Sequence, residues 1–245
     1  MQLLLREFAD VFPLKLPPGL PGNRVTDYRI DVLPDYKPFV HWLYMMSPEE
    51  DRELNAQLDQ YSADGFIEPA HIARVAVTSS ARKNDGGLRT CFDCMALRQV
   101  LLPRIDELLD GIQGSKVFSK MDLQQGFLQI RVFPEHVDGT AFQTKFESYQ
   151  FKVIPFGLCN VPATFQRIMD MIFDRCRSFV SIYLDDLFIY SKTTQEHLPH
   201  LRQVFSILRA ERFYAKPSKC QFLLPNWNLS ALKSAPRALA LRKVS

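Results

Sequence analysis

No stretch of this 245-residue chain is apolar for long enough to cross a bilayer, and the opening run Met1–Leu5 is broken by Arg6 and Glu7 before it could serve as a signal peptide. The expected setting is intracellular, with no membrane partner and no preference between cytoplasm and nucleus. Cysteine is sparse and odd in number, five in all, which excludes a disulfide framework and points to a reducing compartment. Cys91 and Cys94 have the spacing of half a zinc site, but no second pair follows, so they read as reduced cysteines on a strand. There is no internal repeat and no low-complexity tract. Charge lacks a decisive sign: 30 basic against 27 acidic residues leave +3, so any nucleic-acid footprint has to be local, in a cleft. With 47% of its residues apolar, the chain can bury a sizeable core as one domain with two lobes.

Proline and glycine are concentrated between Phe12 and Pro38, where Pro17-Pro18 and Pro21-Gly22 mark an extended lead-in with the look of a linker. A helix is expected next, with Ser47 as cap, Pro48 at the first helical position, Glu50 completing a capping box, Leu54, Leu58 and Tyr61 as the buried stripe and Gly65 as the stop. A second begins at Pro103, with Ile105, Leu108, Leu109 and Ile112 on its apolar face. A third runs from about Pro162 to Arg177 and buries Phe165, Ile168, Met169, Ile172, Phe173 and Cys176. A fourth covers roughly Thr194 to Glu211, with Leu198, Leu201, Phe205 and Leu208 inward; Pro199 favours a start nearer His197. His197 and His200 read as helix-surface residues rather than metal ligands.

Phe179–Ile182 and Leu187–Tyr190 are rich in β-branched and aromatic residues and read as a hairpin whose turn holds two adjacent carboxylates, Asp185 and Asp186. A polar turn would explain one aspartate, but the turn has neither Gly nor Asn, and a third carboxylate, Asp122, ends the strand-like run Lys116–Met121. Three carboxylates on neighbouring strands repel unless a cation compensates them. All-oxygen ligation favours Mg2+, and two such ions can hold the attacking and leaving oxygens of a phosphoryl centre in line. On spacing alone, nucleotidyl transfer and phosphodiester cleavage both remain open.

The chain resembles the reverse transcriptase domain of gypsy-like long-terminal-repeat retrotransposons from about Phe8 to Leu224. The resemblance is carried by Phe118-Ser119-Lys120-Met121-Asp122-Leu123 with Gln129-Ile130-Arg131, by Thr140-Ala141-Phe142, by Pro155-Phe156-Gly157-Leu158 and by Pro162-Ala163-Thr164-Phe165-Gln166. It continues through Tyr183-Leu184-Asp185-Asp186 with Ile189-Tyr190-Ser191-Lys192, Glu196-His197, His200-Leu201, Tyr214-Ala215-Lys216 and Ser218-Lys219-Cys220.

The resemblance implies an α+β fold of the right-hand polymerase type, with fingers, a palm of antiparallel strands and helices packed on one face. It implies an RNA-directed DNA polymerase using two Mg2+ ions (Mn2+ as substitute), deoxynucleoside triphosphates, and an RNA or DNA template with a primer. By position, Asp122 and Asp185 would bind both ions, Asp186 would complete the cluster and the Leu123 carbonyl would assist; Tyr183 and Leu184 complete the motif. Lys83 and Arg89, flanking the turn Asn84–Gly87, match residues that contact the triphosphate. Phe127 matches the ring that excludes a ribose 2′ hydroxyl, and Phe156 and Gly157 match a loop near nucleotide and template. The implied divisions are lead-in 1–40, fingers 41–98 and 131–160, palm 99–130 and 161–224, and a disordered tail 225–245.

The sequence departs from that family in three places. Thr78–Ala81 stands where an apolar strand is usual, and a short stretch usual between Val100 and Pro103 is missing. After Leu224 a basic, alanine-rich segment replaces the primer-gripping hairpin, and the thumb, connection and ribonuclease H regions are not recognisable. A truncated copy and a poor polymerase is the expectation. Two alternatives stand beside it: an inactive remnant that still folds and binds nucleic acid, and, more weakly, a metal-dependent nuclease.

Overall fold

The computed structural model describes residues 1–24, 27–30, 47–70, 76–82, 88–93, 112–145, 147–155 and 161–225, with 76–82 and 88–93 described by backbone alone. The helix expected at Pro103, the gap near Val100 and the tail beyond residue 225 lie outside these residues. Among the described residues no helix is long and apolar enough to cross a membrane.

The first expected helix, α2 (Pro48–Ala63), follows the short α1 (Gln2–Glu7). Its capping box is formed as anticipated: Ser47 Oγ accepts from the Glu50 N–H, and the Glu50 carboxylate accepts from the Ser47 N–H. Leu54 and Leu58 are buried, Tyr61 packs beside them, and Gly65 ends the helix with φ +72°. Strands β1 (Ile67–Pro69), β2 (Ala76–Arg82), β3 (Leu88–Asp93), β5 (Phe142–Gln143) and β6 (Ser148–Phe151) form one sheet in the order β1-β6-β5-β2-β3. The polar run Thr78–Ala81 forms strand, pairing from Thr78↔Phe92 to Ala81↔Arg89, while the expected turn Asn84–Gly87 lies outside the described residues.

The second sheet is antiparallel throughout, in the order β7-β8-β4-β9, from β4 (Val117–Asp122), β7 (Val180–Tyr183), β8 (Asp186–Ser191) and β9 (Gln221–Leu224). Helices α3 (Val161–Ile172) and α4 (Thr194–Ala210) cover one face, where Phe165, Ile168, Met169, Leu201, Phe205 and Leu208 meet Met121, Ile182, Leu187 and Ile189. A smaller core under α2 joins Leu54, Leu58, Phe66, Ile67, Phe142 and Phe151. The 3-10 turn Gly126–Gln129 ties the two together: Leu128 enters the smaller core, and Ile130, just beyond it, enters the larger.

Two expectations fail here. The 1–40 lead-in is not extended at its start: Gln2–Glu7 is helical, Leu4, Phe8 and Val11 are buried in the main core, and Phe8 and Phe12 meet Phe205 edge-on at 5.6 and 5.1 Å. Farther along, the Arg24 guanidinium donates to the carbonyls of Gln129, Glu211 and Arg212 and lies 4.3 Å from the Phe213 ring centre. Tyr28 then bridges to Val132. Burial of these apolar groups outweighs the irregular backbone that the prolines impose.

The second is the start of α4 nearer His197: the helix keeps the bound at Thr194, with Thr193 as its cap, and takes Pro199 inside. The proline forfeits only a bond to the carbonyl of Gln195, an exposed residue near the first turn where water can substitute. His197, expected on the helix surface, instead faces inward with Leu201, Val204, Phe205 and Leu208 and is fully buried. A polar chain results: the Leu223 N–H donates to Ser119 Oγ, Ser119 Oγ is hydrogen-bonded to His197 Nε2, and Ser191 Oγ is hydrogen-bonded to both His197 Nδ1 and His200 Nδ1, each bond 2.8–3.1 Å. His200 in turn stacks on Phe179 with centroids 3.9 Å apart.

Burial first, and the charge of His200 second, hold His197 down from 6.5 to about 4. The imidazole is neutral in the fold and protonates more readily unfolded, so its stabilisation is complete above pH 6.5 and is lost as pH falls toward 4, by up to roughly 3 kcal/mol. Urea midpoints taken from pH 8 to pH 4 should therefore fall more steeply for the native chain than for His197→Leu. The variant should be weaker at pH 8, by about 1–3 kcal/mol, because two serine hydroxyls lose their partner. Parallel pH profiles would contradict this account.

Candidate active site

In the β4–β8 ladder the last residue of one strand faces the first of the other, so that Asp122 stands directly opposite Asp186. The β7–β8 hairpin closes at Tyr183↔Asp186 and leaves Leu184 and Asp185 as its two turn residues. The Leu123 N–H donates to the Asp185 carbonyl at 2.9 Å, which anchors the turn to the residue after Asp122. Asp122 is thus brought beside the distant pair Asp185-Asp186 at one end of the two inner strands of the second sheet.

The turn has no glycine, and Leu184 accepts a left-handed backbone, φ +54°, at a cost of about 1–3 kcal/mol. Gln166, buried on α3, holds it there. Its side-chain carbonyl accepts from the Leu184 N–H at 3.0 Å, and its NH2 donates to the Ile182 carbonyl and to Asp170 Oδ1, both at 3.0 Å. Sequence reading placed Gln166 in a family segment without a role; the signal was a lone amide beside the apolar stripe of an amphipathic helix. Gln129 acts similarly after β4, exchanging bonds with the Tyr214 backbone at 2.7 and 3.0 Å and thereby bracing the chain beyond Asp122.

The carboxylates differ in setting. Asp186 accepts from Lys120 Nζ at 2.8 Å, and Asp122 from Lys219 Nζ at 3.0 Å. Burial pushes the Asp186 carboxyl up and the Asp122 charge adds to this, against the bond from Lys120 and the charges of both lysines. Asp185 turns toward Gly126: a Cβ there would stand 2.7 Å from its buried Oδ1 and 3.0 Å from the Phe165 ring, so glycine is what leaves room for the carboxylate. Among the described residues, no three carboxylate, imidazole or thiol groups stand in a ready metal-coordinating set. The backbone register sets Asp122 against Asp186, and each of these carboxylates is paired with a lysine.

Of the other candidates, Phe127 sits in the 3-10 turn beside Gly126, half-buried, its ring edge-on to Phe165 at 5.0 Å. Arg89 lies on β3 opposite Ala81, described by backbone alone. Lys83, Phe156 and Gly157 lie outside the described residues.

Gln166→Leu should destabilise the chain by about 1–3 kcal/mol in urea unfolding, since a buried N–H and a buried carbonyl both lose their partner at an already strained turn. Gln166→Glu, which retains the acceptor for Leu184, should recover part of the loss. Wild-type stability in the leucine variant would show that the turn holds itself.

Comparison with known proteins agrees with this geometry. Residues 58–237 match the family model described as reverse transcriptase (RNA-dependent DNA polymerase). The chain is 29% identical over 230 residues to the Transposon Tf2-3 polyprotein of Schizosaccharomyces pombe, covering 89% of this chain and 17% of that protein. It is likewise 29% identical over 237 residues to the retrovirus-related Pol polyprotein from transposon 412 of Drosophila melanogaster, covering 91% of this chain and 19% of that one. The chain thus spans about a fifth of the length of these relatives. Among solved structures, the prototype foamy virus protease-reverse transcriptase superposes with a TM-score of 0.78 at 20% identity, over 90% of this chain and 30% of that one. The foamy viral enzyme in complex with RNA/DNA hybrid gives 0.72 at 20% identity, over 90% of this chain and 31% of that one. The α+β architecture expected above is therefore that of a reverse transcriptase, and the chain belongs to the reverse transcriptase (RNA-dependent DNA polymerase) family.

Proposed function

We propose that this chain is the fingers and palm portion of the RNA-directed DNA polymerase of a gypsy-like long-terminal-repeat retrotransposon polyprotein. The supporting observation is the Asp122–Asp186 opposition beside the Asp185 turn, on the sheet of a reverse transcriptase fold. In this reading 41–98 and 131–160 are fingers, and 99–130 and 161–224 are palm. The retrotransposon relatives support the element class, and the foamy viral complex with RNA/DNA hybrid supports a primed template as partner.

The residues suit an oxygen-preferring divalent cation. Asp122 and Asp186 confront one another, Asp185 has a buried carboxylate oxygen beside them, and all three offer the oxygen donors that such an ion prefers. Asp122, Asp185 and Asp186, with the Leu123 carbonyl, would hold two Mg2+ ions, or Mn2+ in their place. When bound, these ions supply Lewis-acid stabilisation to the attacking and leaving oxygens. Lys83 and Arg89 would neutralise the triphosphate of a deoxynucleotide, and Phe156 and Gly157 would line the nascent base pair. In the reaction the primer 3′ hydroxyl forms a bond to the α-phosphorus as the bond to pyrophosphate breaks. Most of the acceleration comes from positioning and charge stabilisation.

Primer extension on an RNA template with labelled deoxynucleotides and Mg2+ tests this reading. Asp185→Asn should reduce incorporation to background, yet leave stability in chelator equal or higher, since clustered like charges destabilise the site. A clear loss of stability in chelator would make Asp185 a structural turn residue.

Phe127 provides a second test. If its ring blocks a 2′ hydroxyl, Phe127→Val should raise the ratio of ribonucleotide to deoxynucleotide kcat/KM while deoxynucleotide use is largely retained. Equal loss for both sugars would assign the ring to packing alone.

A further inference from the structure

The like-charge confrontation of Asp122 and Asp186 does not stand bare. Each carboxylate has its own ammonium, and the two lysines arrive from different elements. Lys120 lies two residues before Asp122 on the same face of β4 and reaches diagonally across the ladder to Asp186, Nζ to Oδ2 2.8 Å, passing 5.7 Å from the Phe188 ring centre. Lys219 ends the 3-10 turn Pro217–Lys219, just before β9, and meets Asp122 Oδ2 at 3.0 Å. Directly opposed like charges destabilise a ladder, so these ammoniums supply the compensation the pair requires. They stand on the carboxylate oxygens that a divalent ion would take.

We propose that Lys120 and Lys219 are built-in counter-ions of the aspartate pair, and that a divalent cation binds only by displacing them. The proposal rests on the reading of the aspartates as metal ligands and adds a competitor to it. The two lysines differ in how readily they leave. The Lys219 side chain is 55% exposed and can swing into water, whereas that of Lys120 is 21% exposed. Removing either charge then has opposite effects with and without the ion. The ladder loses its compensation in chelator, and the cation loses its competitor.

The test is Mn2+ binding to the full chain, followed by the electron paramagnetic resonance of the free ion, together with melting curves in chelator. Lys219→Gln should lower the Mn2+ Kd on the order of tenfold and lower the melting temperature in chelator by about 2 °C. Lys120→Gln should shift both quantities the same way. Lys192→Gln, which removes the same charge beyond the far end of β8, should move neither. Mn2+ affinity unchanged in both site variants, or equally tightened by Lys192→Gln, overturns the proposal. Asp122→Asn in the Lys219→Gln background separates the two ideas. Loss of Mn2+ binding there confirms that the ion released from competition sits on the aspartates. Retention places the ion elsewhere and overturns both the proposal and the metal-ligand reading beneath it.

Discussion

The register of the β4–β8 ladder is the constraint on which the rest of the molecule depends. It sets Asp122 against Asp186, and by alternation it puts Lys120 on the same face while Ser119, Met121, Leu187, Ile189 and Ser191 face the helices. A slip of one residue would send the carboxylates into the helix-packed core and Met121 and Leu187 to the opposite face, beside the positions of Phe118, Phe188 and Tyr190. The hydrophobic face thus enforces an arrangement that is electrostatically unfavourable on the other. Ordinary packing is spent in holding two like charges together.

Several polar devices keep that register. Gln166 clamps the strained hairpin turn from α3, and the Leu123–Asp185 backbone bond fastens it to the end of β4. From behind, the Ser119–His197–Ser191 chain joins β4, α4 and β8, with the Leu223 N–H bringing in β9. Such a chain is directional, which apolar contacts are not, so it discriminates against slipped pairings. The first residues of the chain complete the scaffold, with Leu4, Phe8 and Val11 closing the core below α4 and Arg24 tying the backbone after α4 to Gln129.

The two cores bear on how the lobes are joined. Leu128 and Ile130 lie within a few residues of Asp122 yet enter different clusters. Displacement of the smaller core relative to the larger would therefore act first on Gln129, which lies between them and is held by the Tyr214 backbone. The same short turn holds the space that the Asp185 carboxylate fills.

Local signals in the sequence determined a good deal: the capped helix at Pro48, the amphipathic stripe of α3, the hairpin and the strand ending at Asp122 all follow from caps and periodicity within a few residues. The aspartates themselves stood out because strand-formers surround them without a packing reason. Tertiary structure alone decided that His197 is buried, that the opening residues belong to the core, that Gln166 bears a strained turn, and that each aspartate has a particular lysine. The physical reason is common to all four. Burial and pairing depend on partners far away in the chain, brought together only when the strands take their register, and no local period records which side chain will be waiting there.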